Sequence, residues 1–589
     1  VRRRPAEAAV RTQTQRAKAL FYVFLILAAF VAGRFYIVQV RDGPTLASRA
    51  YEQRLTTIDL AAHRGTIYDR DLTALVRSLP SQSLYASTRE VRDRSGTARR
   101  LAGILGLGYA DVYAILGSSQ PYVLVDHKIG SRQAGEIVKL ALPGISVVPE
   151  PTGVRFVPSG RLASTVLGFT GFDEQGLEGL EYEYEDELRG QPGRMALESD
   201  EFGRAIPFAK PSVLLASKPG HSLVLTLDSY LQYNVERVLR ATVAKWHASS
   251  GSAVVMDPWT GEVLALANAP DYDVSNYAQY SADDRRDRAV DDTYEPGSVF
   301  KLITAAAALE SGKVSPGDRF SLSDRLHIGG YTIYNAEDGF MAGAGSSETL
   351  EDIIAYSHNV GAAEVGLRIG RQTLYDTIER FGFDRQTGVG LPGETAGLVP
   401  RLADWSETTL PTVSFGQGIA TTPLAIARAY CAIANGGVLL RPRIVAAILN
   451  PDGSVAYRYG PEVERRVISA RTAAILRGYL RQVVLRGTGN PTARVPGYTT
   501  AGKTGTAQIA ENGYYASGAY VASFVGFIPA DTPRFVILVK IEKPQGAIYG
   551  SVVAAPAFAD IARIAMMHAG VLPASERLVH AGPPSKQHT

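Results

Sequence analysis

The chain has 589 residues, 46% of them hydrophobic, a formal net charge of +3 and a single cysteine. That length calls for two or three domains with sizeable cores. One cysteine excludes an internal disulfide framework and a cysteine-only metal site, and the lack of a basic block after residue 18 argues against nucleic acid as a partner.

Residues 1–18 carry Arg2, Arg3, Arg4, Arg11, Arg16 and Lys18 against Glu7 alone. From 19 to 40 the chain is apolar except for Arg34 and Gln39. As a helix this run reaches about 33 Å, enough for a bilayer. The basic flank predicts a short cytoplasmic tail with the rest exported. A cleaved signal peptide is the alternative, but no Ala-x-Ala site closes the run. Residues 41–60 read as a polar helical stalk, and 63–70 as a turn entering a strand. Between 71 and 215, runs at 83–87 and 122–125 have strand character, and those at 98–105 and 132–140 helical character. The acidic stretch 178–187, closed by the turn at 189–193, reads as a solvated helix face.

A boundary falls near 217–220. A strand at 223–228 follows, with Asp228 placed to cap a helix over 229–245. Two short apolar strands, 252–256 and 262–267, form a hairpin through 257–261. The polar segment to Tyr294 reads as loop over a cleft. An all-round apolar helix opens at Ser298, which predicts a core position. Cys431 lies in an alanine-rich helix, 422–434, and reads as a small core residue. Strands at 503–509, 520–528 and 535–542 form a meander, followed by a helix over 552–567 and a frayed tail. Strands at both ends with helices between predict an α+β domain.

Three motifs occur once each, in order: Ser298-Val299-Phe300-Lys301, Ser357-His358-Asn359 and Lys503-Thr504-Gly505. Each is weak alone; the ordered set is specific. Ser298 and Lys301 share a face of the first helical turn. Lys301 is the only charge in an apolar helix, so desolvation lowers its pKa and equips it as a general base for the serine. Ser357 and Asn359 alone would read as a cap or turn. Gly505 lets a ligand backbone approach a strand, and Lys503 with Thr506 can bind a carboxylate. Residues 497–504 also fit the phosphate-loop pattern, but prolines precede it and glycines follow where a helix is required.

With these motifs, the runs Arg64-Gly-Thr-Ile-Tyr-Asp-Arg70, 155–160 with Pro158, Leu225-Thr-Leu-Asp228, Thr387-Gly-Val-Gly-Leu-Pro-Gly-Glu394, Ser414-Phe-Gly-Gln-Gly418, Ala434-Asn-Gly-Gly437 and Gly502-Lys-Thr-Gly-Thr-Ala-Gln508 resemble the class B penicillin-binding proteins, most of all the division-type (FtsI-like) D,D-transpeptidases. The resemblance implies a basic tail (1–18), a transmembrane helix (19–40), an elongated pedestal of the dimerisation type (41–216), a transpeptidase domain of the serine β-lactamase-like α+β fold, an antiparallel sheet with helical layers (217–570), and a disordered tail (571–589). It implies Ser298 as nucleophile, Lys301 as base, Ser357 as proton relay and Asn359 as holder of the substrate amide. Lys503, Thr504, Gly505 and Thr506 would hold the substrate carboxylate end, with the N–H groups of Ser298 and Thr506 as oxyanion hole. Peptidoglycan stem peptides, lipid-linked nascent glycan, β-lactams, the membrane, other division proteins and a SEDS-type (FtsW-like) glycosyltransferase are the implied partners, with no cofactor and no metal. The alternatives are an elongation-type enzyme, a β-lactam sensor and a divisome scaffold. Two features depart from the pattern: Asp71-Leu72-Thr73-Ala74 stands where an Asn-Gly turn is usual, and His358 fills a variable position with no expected catalytic role.

Overall fold

The computed structural model describes residues 6–60, 62–150, 153–198, 212–335, 347–511 and 514–573. The chain folds into two units, Val1–Ala62 with Gln191–Lys218, and His63–Gly190 with Pro219–Thr589.

In the first unit a helix runs over Ala6–Tyr36, and Ile37–Arg41 forms a π-helical turn. Leu20, Phe24, Ile26 and Phe30 are exposed on it, as expected of a helix whose apolar surround is lipid. A second helix covers Gly43–Arg54. The expected helical stalk ends there. Leu55–Leu60 is a strand, antiparallel to Gly193–Glu198, which pairs in turn with Ser212–Leu215. The β-branched run Thr56, Thr57 and Ile58 favours a pleated strand, and its partner lies more than a hundred residues away, beyond any local pattern.

The second unit is built on a five-stranded antiparallel sheet, ordered Val263–Ala269, Ser250–Met256, Phe535–Glu542, Tyr514–Ile528, Ala501–Glu511. Both faces are buried. Val254, Met256, Val525 and Leu538 face a core shared with Lys301–Glu310, Pro423–Ala434 and Ala470–Leu485. Ala253, Val255, Phe524 and Val539 face a second core with Ser229–Lys245 and Ala555–His568. The period-two alternation sends successive side chains to opposite cores, so these strands read as continuous apolar runs. Asp228 caps its helix, accepting from the N–H of Leu231 at 2.9 Å. Cys431 is buried beside Met256.

A six-stranded sheet, ordered Val455–Arg458, Val445–Leu449, Ser222–Leu225, Ile67–Tyr68, Ala74–Leu79, Val154–Phe156, has one parallel pair, Ser222–Leu225 with Ile67–Tyr68. A smaller sheet of Tyr122–Gly130, Ser81–Ser87 and Ile145–Pro149 carries the helices Arg94–Leu105 and Ser131–Lys139 on its own core.

Two further expectations are corrected. The acidic stretch 178–187 is not simply a solvated face. Glu181 is buried and receives Arg64 at 2.7 Å and Arg155 at 2.6 Å, both guanidiniums being buried with it. Sequence showed the carboxylates, but their partners come from 117 and 26 residues away. The segment leading to Tyr294 is not plain loop. It winds into the short helices Ala282–Arg285 and Arg288–Asp291, tied by Arg286–Asp291 (3.0 Å) and Arg288–Asp283 (2.7 Å).

The departure at 71–74 also resolves. Asp69 Oδ1 accepts the N–H groups of Asp71 (3.0 Å) and Thr73 (2.7 Å), and Leu72 takes a left-handed φ of 62° where Asn or Gly is usual. Of the tail expected over 571–589, residues 574–589 lie outside those described.

Candidate active site

Ser298 sits in a 3₁₀ turn, Gly297–Phe300, that runs directly into the helix Lys301–Glu310. The N–H of Lys301 donates to the carbonyl of Ser298, which places both side chains on one turn. The turn is clamped from several sides. Gly297 N–H donates to Gly416 O at 3.0 Å, Tyr430 Oη to Val299 O at 2.9 Å, and Thr304 Oγ1 to Ser414 O at 2.8 Å. Gly416 has φ of 85°, and a Cβ there would lie 2.1 Å from Gly297 O, so only glycine allows the approach. Ser298 itself is half-buried.

The second motif closes the helix Leu350–Tyr356. Ser357 is its C-cap in the left-handed region (φ 67°), with its N–H on Ile353 O. A serine in this region is held there by its surroundings. The next helix, Asn359–Ile369, starts under Asn335, whose Oδ1 accepts the N–H groups of Asn359 (2.9 Å) and Val360 (3.1 Å).

The third motif lies inside the strand Ala501–Glu511. That strand continues past Lys503 with no helix after it, so the phosphate-loop pattern at 497–504 lacks the helix N-terminus it needs.

The three motifs meet at Ser357 Oγ. Lys503 Nζ donates to it at 2.8 Å and Lys301 Nζ lies 3.2 Å away; Lys301 Nζ also donates to Asn359 Oδ1 at 2.7 Å. Both lysines are buried, at 1% and 0% exposure. Burial drives Lys301 well below its ordinary value; the ammonium of Lys503 pushes the same way, and Glu348 opposes them. Burial alone brings Lys503 down to about 7. A neutral Lys301 amine on the turn that carries a serine hydroxyl is equipped to take its proton.

Thr504 is buried, its Oγ1 within 2.7 Å of Thr488 Oγ1 and 3.3 Å of Lys503 Nζ. Thr506 is half-buried and its Oγ1 accepts the N–H of Gly550 at 3.2 Å. Gly505 lies against the serine turn: a Cβ there would stand 3.0 Å from Val299 Cγ1 and 3.2 Å from Pro296 O. Sequence reasoning missed Asn335 and Thr488. Neither sits in a motif, and nothing local marks a residue whose work is to hold another.

A family model described as "Penicillin binding protein transpeptidase domain" matches residues 251–563, and one described as "Penicillin-binding Protein dimerisation domain" matches 59–225. The chain belongs to the class B penicillin-binding proteins. As such it is a serine-type D,D-transpeptidase with a pedestal domain ahead of the transpeptidase domain. It is 33% identical to stage V sporulation protein D of Bacillus subtilis over 97% of this chain and 88% of that protein. Its identity to the peptidoglycan D,D-transpeptidase FtsI of Escherichia coli is also 33%, over 91% of this chain and 89% of that protein. Among solved structures, penicillin-binding protein 3 of Mycobacterium tuberculosis, complexed with aztreonam, matches with a TM-score of 0.68 and 32% identity. It covers 90% of this class B chain and 99% of its own.

Proposed function

We propose that this class B enzyme cross-links peptidoglycan stem peptides during septal wall synthesis, through an acyl-enzyme on Ser298. The observation that carries the chemistry is the meeting of Lys301, Ser357 and Lys503 at one hydroxyl beside the serine turn. Lys301 takes the Ser298 proton as Oγ bonds to the penultimate D-alanine carbonyl carbon. The N–H groups of Ser298 and Thr506 stabilise the oxyanion. Collapse breaks the peptide bond, and the terminal D-alanine leaves as an amine protonated through Ser357. An amine of a neighbouring stem then attacks the ester, loses its proton to the same relay, and frees Ser298. Lys503 and Thr506 grip the terminal carboxylate, whose charge favours the lysine ammonium; Thr504 steadies Lys503, and Asn359 presents its amide to the stem. β-Lactams acylate Ser298 by the same attack.

Labelling the protein with a fluorescent penicillin and mapping the adduct tests this reading. Label on Ser298, lost in Ser298→Ala, supports it; label on another serine overturns it. The apolar helix with its basic N-terminal flank supports a single-pass anchor, N-terminus inside, in the cytoplasmic membrane, with the catalytic unit outside. The resemblance to division-type members supports a septal site and a SEDS-type glycosyltransferase as membrane partner. The identity to a sporulation protein equals that to FtsI, and so favours a second reading, wall synthesis at another site. Depleting the protein decides between them: filaments without septa support the septal role, whereas rounded dividing cells overturn it.

A further inference from the structure

His358 stands between the two functional residues of the second motif, yet its ring is turned away into the protein. It is 6% exposed, and its Nδ1 meets the Oε2 of Glu348, a residue 4% exposed. Glu348 lies on the short strand Ser347–Thr349, which pairs with Arg319–Ser321. Room for it comes from Gly361, where a Cβ would lie 2.4 Å from Glu348 Oε1 and 2.7 Å from Ile353 Cγ1. The ring stacks on Tyr356, with centroids 5.9 Å apart and planes at 21°. The His358 N–H donates to Ile353 O at 3.1 Å. The residue before it, Ser357, holds the left-handed conformation that puts Oγ between Lys301 and Lys503. A serine adopts that conformation only under backbone strain, so something must hold it.

We propose that Glu348 and His358 form a positioning pair for the second motif, holding Ser357 between the two lysines and keeping a carboxylate near Lys301. A buried carboxylate needs a hydrogen-bonded partner, and the imidazole supplies it from the residue next to Ser357. The other charged and titratable groups around the pair are already engaged or belong to the site. Glu364 accepts the N–H of Ser321 at 3.0 Å, and Asp352 pairs with Arg486 at 3.0 Å. Tyr356 Oη accepts from Arg486 at 3.1 Å, and Lys301 and Lys503 share Ser357. Glu348 is the carboxylate that favours the ammonium form of Lys301. Removing its charge therefore makes the Lys301 amine easier to obtain and weaker as a base.

The test is the pH profile of fluorescent-penicillin acylation by the full-length protein in detergent, with thermal unfolding measured alongside. Glu348→Gln is expected to move the acid limb of the profile to lower pH, and Glu348→Asp to leave it near the parent's. On the plateau above the limb, Glu348→Gln and His358→Gln each slow acylation roughly tenfold, and the double variant is no slower than either, as for residues acting as one unit. A limb unmoved in Glu348→Gln, or losses that add in the double variant, overturns the pairing, whatever happens to the melting temperature. If Glu348→Gln does not fold, His358→Gln decides: a plateau rate equal to the parent's overturns the proposal. The inference rests on Lys301 as the base and Ser298 as the nucleophile. Label retained in Ser298→Ala sinks that reading, whereas label lost there with an unmoved limb sinks only the positioning pair.

Discussion

Two buried lysines, at 2.8 and 3.2 Å from one hydroxyl, would repel if both were charged, and burial and the neighbouring lysine both disfavour the ammonium form of Lys301. In the proposed reaction Lys503 is the one that a substrate carboxylate can recharge. Lys503→Ala is expected to slow penicillin acylation roughly ten- to a hundredfold, the value of about 1.5–3 kcal/mol for a charge-assisted bond. A stopped-flow acylation rate checks this; an unchanged rate would leave the carboxylate with no partner. Gly497→Ala, which breaks only the phosphate-loop pattern, is not a silent control. Gly497 has φ of 80°, and its Cβ would lie 2.4 Å from Pro573 Cβ, so rates must be read per folded molecule. At Gly505 the limit is space. A Cβ would meet Ser523 Oγ at 2.3 Å and press on Val299, the residue after the proposed nucleophile Ser298. Gly505→Ala is expected to destabilise by about 1–3 kcal/mol. It should slow acylation by roughly one to two orders of magnitude, because a displaced nucleophile loses its alignment. Melting and acylation measured on the same sample would separate the two effects.

Among the elements, the turn at 69–73 and the buried cluster at Glu181 carry the sharpest expectations. Leu72 is 60% exposed and sits in the left-handed region, so its side chain contributes little packing to offset the strain. Leu72→Gly should stabilise by about 0.5–1 kcal/mol, the strain relieved less the entropy lost. A chemical-denaturation midpoint that falls instead would mean that Leu72 packs on something. Glu181 is opposite: removing it strands Arg64 and Arg155 in the interior. Glu181→Ala should cost about 3–5 kcal/mol, as when one partner of a buried pair is lost. Breaking an exposed pair such as Arg401–Asp404, whose arginine is 82% exposed, should cost nothing measurable. Equal losses in the two variants would refute the distinction.

At the scale of the whole molecule, the two units present their apolar side chains differently. The catalytic unit buries both faces of its sheet in protein, whereas the helix Ala6–Tyr36 exposes its apolar side chains. Its basic flank sets the proposed orientation. Replacing Arg11, Arg16 and Lys18 by glutamine should reduce the fraction of chains whose catalytic unit is open to protease outside spheroplasts. An unchanged fraction would place the orientation signal elsewhere.

Sequence by itself carried the proposed chemistry and the local elements. The three motifs, the Asp228 cap, the hairpin at 257–261 and the strands of the meander all depend on residue type and short-range period, which are legible in one dimension. The same holds for the apolar span, whose length is set by the bilayer. What tertiary structure alone decided are the pairings between distant residues. Leu55–Leu60 became a strand because Gly193–Glu198 meets it. Glu181 left the surface because Arg64 and Arg155 follow it inside. His358 looked idle because Glu348 lies on another element, before the helix Leu350–Tyr356 that separates the two. The meeting of Lys301 and Lys503 at Ser357 has the same origin. Each motif names a side chain, but the desolvation that sets its charge comes from the elements packed around it, and that burial exists only once the chain has folded.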